Sequence, residues 1–248
     1  MAKVSLKLLG TGDAFHSGGR LHTAFSLRCD GYHALIDCGA TTLAFMRHLE
    51  VDVAGIDAIL LSHLHGDHFG GVPIILMDAC YNARRNKPLI LAGPQGARLR
   101  ITDTLGCLYP GAPAKVDERV PLEYVEYRDR HALRIGPLDV LPIPVVHPSG
   151  ATAYALRITA GGRTIAFSGD AEWSPAIAEA ATGADIFLCE CCGYDQPIPY
   201  HLHYTHLKDV LPGVGAKRIV LTHLGPRALA HASSLAFEVG EDGQEIEL

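Results

Sequence analysis

Polar and apolar positions alternate with a period of two along Val4-Ser5-Leu6-Lys7-Leu8-Leu9, the pattern of a half-buried strand. The strand stops at Gly10-Thr11-Gly12-Asp13, where two glycines permit a close backbone turn. Runs at 24–28 and 33–36 predict two more strands, 41–49 a helix, 58–61 a strand and 69–82 a helix starting directly after a polar cluster. Segments 89–92, 94–108 and 122–127 continue the alternation, and 138–146, 153–158 and 164–167 read as a mostly β stretch. A second βαβ series follows over 175–181, 186–189, 205–211 and 219–221. A closing hairpin from 235 to 248 is expected to turn at Asp242-Gly243. No linker, repeat or low-complexity stretch interrupts the pattern, so residues 1–248 are expected to form one domain of two similar α/β halves.

Composition narrows the class. The 248 residues are 48% hydrophobic and 19% charged, enough for one large core. The net charge of −6, with no block of like charge, argues against a long nucleic-acid footprint. Seven cysteines without framework spacing, and a start at Met1-Ala2-Lys3 leading into a strand, point to a reduced, cytoplasmic protein. The apolar stretches fall short of the ~20 residues a membrane span needs. Fourteen histidines, several in short clusters, support metal chemistry.

The densest cluster is His63-Leu64-His65-Gly66-Asp67-His68, three imidazoles and a carboxylate directly after a strand-like run. Positions 63, 65 and 67 are expected on one side of an extended turn, with His68 on the other. Imidazole and carboxylate are ligands that zinc, manganese and iron accept, and one ion cannot easily use all four. Three further positions repeat the same grammar, an apolar strand running into a polar residue at its carboxyl end: His147, Asp170 and His223. Open α/β sheets place their sites at such ends. Singly, each has a plainer reading: a loop residue before Pro148, a helix cap ahead of Glu172, and a core histidine.

Taken in order, strand, His-x-His-x-Asp-His, distant His, Ser168-Gly169-Asp170 and Thr222-His223 resemble the metallo-β-lactamase fold superfamily over residues 8–224. The resemblance implies a four-layer αβ/βα sandwich with a dinuclear site between its two sheets. Carried over, His63, His65 and His147 hold one divalent ion, Asp67, His68 and His223 the other, and Asp170 bridges them. Zinc is the first expectation, with manganese or iron admitted by the donors. Two ions ~3.5–4 Å apart need such an anionic bridge, and a hydroxide between them is the natural nucleophile.

Leu9-Gly10-Thr11-Gly12, Glu190 after 184–189, and Leu221-Thr222-His223-Leu224-Gly225-Pro226-Arg227 resemble the RNase Z-like branch, which implies phosphodiester hydrolysis. There Asp67 would hold the nucleophile, and a Glu–His pair would protonate the departing oxygen. Glu190 is the matching Glu, and the His is His201 or His203, with spacing favouring His201. Arg20 and His22 are candidate substrate contacts or ordinary loop residues. Cys189, Cys191 and Cys192 lack paired zinc-knuckle spacing and read as buried thiols. Only 23 positions lead from His147 to Asp170, filled by two strands and a turn at Gly161-Gly162, so no arm to grip tRNA is expected. The substrate class is therefore small or cyclic phosphodiesters, a small-molecule partner without membrane or tRNA, with a homodimer left open. The alternatives are a lactone or thioester hydrolase, for which Tyr194 or Tyr204 would stabilise an oxyanion, and a metal-binding sensor without turnover.

Overall fold

The computed structural model describes residues 3–83 and 85–248. The reading of Met1-Ala2-Lys3 thus lies partly outside the described residues. One seven-stranded sheet is assembled from β1 (Val4–Gly10), β2 (Ala24–Cys29), β3 (Tyr32–Ile36), β4 (Ala58–Leu60), β5 (Leu89–Gly93), β6 (Leu122–Glu126) and β14 (Glu245–Glu247), in the order β14-β1-β2-β3-β4-β5-β6. A second contains β7 (Leu133–Ile135), β8 (Leu138–Val145), β9 (Ala153–Ala160), β10 (Arg163–Phe167), β11 (Ile186–Glu190), β12 (Ile219–Thr222) and β13 (Glu238–Val239), in the order β13-β12-β11-β10-β9-β8-β7. Strands β3 to β6 are mutually parallel, as are β10 to β13.

The period-two pattern of β1 accounts for the packing of the first layer: Val4, Leu6 and Leu8 point inward to the core between the sheets, while Ser5 and Lys7 stay partly exposed. Phe25 and Phe167 meet edge to face across that core, with ring centroids 5.2 Å apart. The parallel strands are apolar on both faces because helices cover their outer sides. On the first sheet these are α1 (Thr42–His48), α2 (Gly66–Phe69), α3 (Val72–Tyr81), α4 (Ala97–Leu108) and α5 (Ala112–Arg119). On the second they are α6 (Pro175–Ala181), α7 (Tyr204–Val210) and α8 (Pro226–Ala230). The result is the four-layer αβ/βα sandwich anticipated from the motifs.

Two expectations fail locally. The end of the chain is not a hairpin: β13 pairs in parallel with β12, whereas β14 pairs with β1. The turn around Asp242-Gly243 therefore passes from one sheet to the other, because a strand of two residues and one of three each find a better edge than one another. The helix expected over 69–82 is split, and α2 begins inside the ligand cluster, so Asp67 and His68 lie on a helical turn and only His63 and His65 precede it in extended chain.

Candidate metal centre

The carboxyl ends of β4, β8, β10 and β12 meet at one edge of the sandwich. There the structure brings together all seven residues expected as ligands, His63, His65, Asp67, His68, His147, Asp170 and His223, and all but His65 are buried. They fall into two overlapping sets of donor atoms. His63, His65 and His147 form one, and Asp67, His68, Asp170 and His223 the other. The Oδ2 of Asp170 reaches both, 3.8 Å from His63 Nε2, 3.9 Å from His147 Nε2 and 3.4 Å from His223 Nε2. Its Oδ1 is 3.2 Å from His68 Nε2, which also lies 3.3 Å from Asp67 Oδ2.

Four of the five imidazoles, all but His65, are aimed by a bond at their other nitrogen. Asp37 is fully buried and accepts from His68 Nδ1 at 2.7 Å, from Ser62 N at 2.7 Å and from Ser62 Oγ at 2.7 Å. Ser62 Oγ in turn lies 3.0 Å from His63 Nδ1. The backbone carbonyl of Tyr200 accepts from His147 Nδ1 at 3.0 Å, and Thr23 Oγ1 is 3.2 Å from His223 Nδ1. Such outer partners fix the tautomer and leave the inward nitrogens as bare donors. His223 has φ +56°, a left-handed conformation held by its backbone N–H donating to Thr11 O at 2.7 Å.

These residues fit divalent cations. Three carboxylates, Asp37, Asp67 and Asp170, converge in a buried place, and uncompensated buried charge is costly. His63 Nε2, His68 Nε2 and Asp170 Oδ1 are buried with no hydrogen-bond partner. His147 Nε2 faces His65 Nδ1 at 3.0 Å, two ring nitrogens that repel unless a proton or a cation lies between them. Burial, followed by the charge of neighbouring His68, holds His63 well below the ordinary histidine range, the neutral form a metal needs. For His68 burial works downward, but Asp170, Asp67 and Asp37 outweigh it and raise the imidazole well above that range. A proton there occupies the place a divalent cation would take.

Beside the cluster, Glu190 is fully buried at the end of β11. Its Oε1 and Oε2 lie 3.1 and 3.2 Å from His201 Nδ1, and Oε1 also accepts Ala171 N at 2.7 Å. Burial lowers the pKa of His201, but the hydrogen bond and charge of Glu190 override it and bring it to about 9. The His201 ring centroid is 5.0 Å from that of His147 and 5.8 Å from that of His223. His203, the other candidate, precedes α7 and neighbours His206 at 5.7 Å instead.

The remaining candidates divide. Arg20 is a scaffold residue whose guanidinium donates to Thr11 Oγ1 at 2.8 Å and to the carbonyl of Gly240. His22 stacks on His16 at 3.8 Å, its Nδ1 buried without a partner. Tyr204 accepts Ala236 N at its hydroxyl, and Tyr194 stacks on His231. Cys189 and Cys191 are buried thiols as expected, and burial raises both pKa values. Asp37, Ser62 and Thr23 were not singled out in the sequence. Asp37 obeys the same strand-end grammar, following Leu35-Ile36, and was readable by it. Asp242 was noted only as a turn residue, yet its Oδ1 accepts Thr11 N at 2.8 Å and Thr11 Oγ1 at 2.7 Å, and its Oδ2 accepts Leu21 N at 2.8 Å.

Comparison with known proteins agrees with this fold. A family model described as "Anti-Pycsar protein Apyc1" matches residues 4–239. A ribonuclease Z from Agathobacter rectalis is 27% identical over 296 aligned positions, which cover 97% of each chain. Among solved structures, the metallo-beta-lactamase fold protein YhfI from Bacillus subtilis superposes with a TM-score of 0.80 at 20% identity, over 99% of this chain and 100% of that one. A diphosphatase from the PhnP family gives 0.77 at 18% identity, over 99% and 98%. At such identities the structural likeness shows the fold.

Proposed function

The chain belongs to the family described as Anti-Pycsar protein Apyc1, within the metallo-β-lactamase fold superfamily, and from that premise we propose that it is a dinuclear metal-dependent phosphodiesterase acting on small or cyclic phosphodiesters. The observation that carries this reading is the placement of buried Glu190, paired with half-buried His201, against the seven-donor cluster. His63, His65 and His147 would hold one ion, Asp67, His68 and His223 the other, with Asp170 shared. When bound, two such ions supply Lewis acidity and lower the pKa of water toward ~7.

The residues of the chain supply the rest. Asp67 stands on the first turn of α2 with its carboxylate toward the cluster, where it holds the attacking water in line. His201, charged at neutral pH and anchored at Nδ1, keeps its other ring nitrogen free to give a proton to the departing oxygen. Glu190, buried and held by Ala171 N, keeps that ring aimed and stabilises its charge. The name of the Agathobacter relative, ribonuclease Z, suggests RNA, but the span from His147 to Asp170 is used up by β9 and β10, which supports a small substrate. Among the described residues no helix is long and apolar enough to cross a membrane.

The test is one metal-loaded preparation, its metal content measured, assayed with bis(p-nitrophenyl) phosphate, a small cyclic phosphodiester, lactones and thioesters, and precursor tRNA. Diester hydrolysis with poor tRNA cleavage is expected, at two ions per chain. Efficient site-specific tRNA cleavage, or acyl hydrolysis without any diesterase activity, would overturn the proposal.

A further inference from the structure

If His201 delivers the proton to the departing oxygen, whatever that oxygen carries must sit against His201. The space there is a groove of about 610 Å³, with His201 as the wall it shares with the metal centre and Trp173, Ile198, Tyr200, His203 and His206 among its other walls. Its character differs sharply from that of the cluster. Ile198 is 37% and Tyr200 45% exposed, large apolar side chains that the core does not use. Ile198 sits between Pro197 and Pro199, whose fixed φ angles stiffen that side of the groove. Trp173 stands edge-on to His206, with centroids 5.5 Å apart, leaving a ring system at the groove's side.

Tyr200 links this wall to the site. Its φ of +66° is unusual for a residue with a bulky side chain, and its carbonyl accepts from His147 Nδ1. The same peptide that aims a putting-in-place bond at His147 therefore also fixes the Tyr200 Cα at the groove. Charge narrows the occupant further. Among the described residues lining the groove there is no Lys or Arg, and Glu172 is its acidic member. A polynucleotide leaving strand would bring further phosphates, each wanting a cation.

The geometry points to this groove as the leaving-group subsite, taking an uncharged, planar aromatic ring against Trp173 and Tyr200. Aryl and heteroaryl phosphodiesters are then preferred over alkyl diesters and over polynucleotides. This rests on the phosphodiesterase reading with His201 as proton donor. In the reaction, the bond from phosphorus to the ring-bearing oxygen breaks and water oxygen bonds to phosphorus. His201 gives its proton to the departing oxygen, and the attacking water releases one in return.

Trp173 is the single tryptophan of the chain, so its emission reports on the groove without any turnover. Metal-loaded protein is titrated with phenyl phosphate and with methyl phosphate. Phenyl phosphate is expected to bind about tenfold more tightly and to shift Trp173 emission, while methyl phosphate leaves it unchanged. Ile198→Ser and Ile198→Ala, each checked for native melting and metal content, should reduce the preference to about threefold or less with methyl phosphate affinity unaltered. Equal affinities, an emission that does not respond, or variants that keep the full preference would overturn the subsite. Hydrolysis of methyl p-nitrophenyl phosphate by protein without aromatic preference removes the subsite and leaves the phosphodiesterase reading standing. An aromatic preference that extends to benzoate, in protein that cleaves aryl esters of carboxylic acids but no diester, keeps the groove and removes that reading.

Discussion

Asp37→Asn isolates the contribution of one carboxylate that never faces the substrate. Asp37 Oδ2 accepts from both His68 Nδ1 and Ser62 Oγ, and Oδ1 accepts Ser62 N, each at 2.7 Å and out of contact with water. An amide offers one acceptor where there were two. With its oxygen toward His68, its NH2 meets the Ser62 backbone N–H, donor against donor. With its oxygen toward Ser62 N, its NH2 meets His68 Nδ1, and the imidazole must move its proton to the nitrogen that faces Asp170. Either arrangement costs about 1.5–3 kcal/mol, the range for a buried charge-assisted hydrogen bond. Divided by 1.4 kcal/mol per decade, this is roughly 10- to 100-fold in affinity for the more weakly held ion, the range measured for outer-shell partners elsewhere. The backbone does not confound the test, since Asp37 has φ +56° and Asn tolerates that region well. Competition against a chelator of known affinity, on protein first stripped of metal, reads the change, and circular dichroism confirms the fold. Ser62→Ala, which removes only a neutral partner, should shift affinity less. Affinity within about twofold of the parent for Asp37→Asn would refute the idea that this carboxylate aims His68.

His201→Ala should slow hydrolysis of diesters with poor leaving groups by about 100-fold or more while bis(p-nitrophenyl) phosphate suffers less, and His203→Ala should change neither much; a leaving-group series on both variants decides it. His33 is buried against Ser26, and burial, then the neighbouring Arg28 charge, depresses its pKa to about 4. The unfolded chain binds the proton first, so stability is full above pH ~6.5 and falls as pH drops toward ~4, by about 3 kcal/mol in the limit. Urea unfolding at pH 7 and pH 4.5 should show this loss in the parent and a smaller one in His33→Gln. A Cβ on Gly39 would overlap the Asp67 carbonyl and the His22 side chain. Gly39→Ala should therefore lose metal at least as severely as Asp37→Asn, and normal metal content in a folded variant would show that the α2 turn can shift.

The site was more legible than the connections that carry it. The expected donors could be read because they stand at, or just past, the ends of four strands whose apolar runs are visible on their own, as in Ile219-Val220-Leu221-Thr222-His223. His201 could be preferred over His203 from the spacing that the family resemblance implies, and in the structure His201, not His203, lies on Glu190. What stayed hidden depends on contacts between distant segments. The carbonyl of Tyr200 behind His147 has no residue-type signature, since any amino acid supplies a carbonyl. The final strands looked like a hairpin because a short strand pair and a turn carry no record of which sheet edge each will join. The start of α2 was misplaced because Gly66 reads as a turn, whereas here it opens a helix that sets Asp67 and His68 toward the cluster.

The crossing turn has a consequence for the order of events during synthesis. Asp242 binds Thr11 across 231 positions and Leu21 across 221. Thr11 holds His223 through its carbonyl, so the second set of donors cannot be complete until nearly the whole chain has been made. Closing so long a loop is slow relative to forming the local βα units that carry His63, His65, Asp67 and His68. During translation the early histidines thus stand together before the backbone support behind His223 is in place. The last turn acts as a latch that fixes the support behind His223 only once Asp242 has been made.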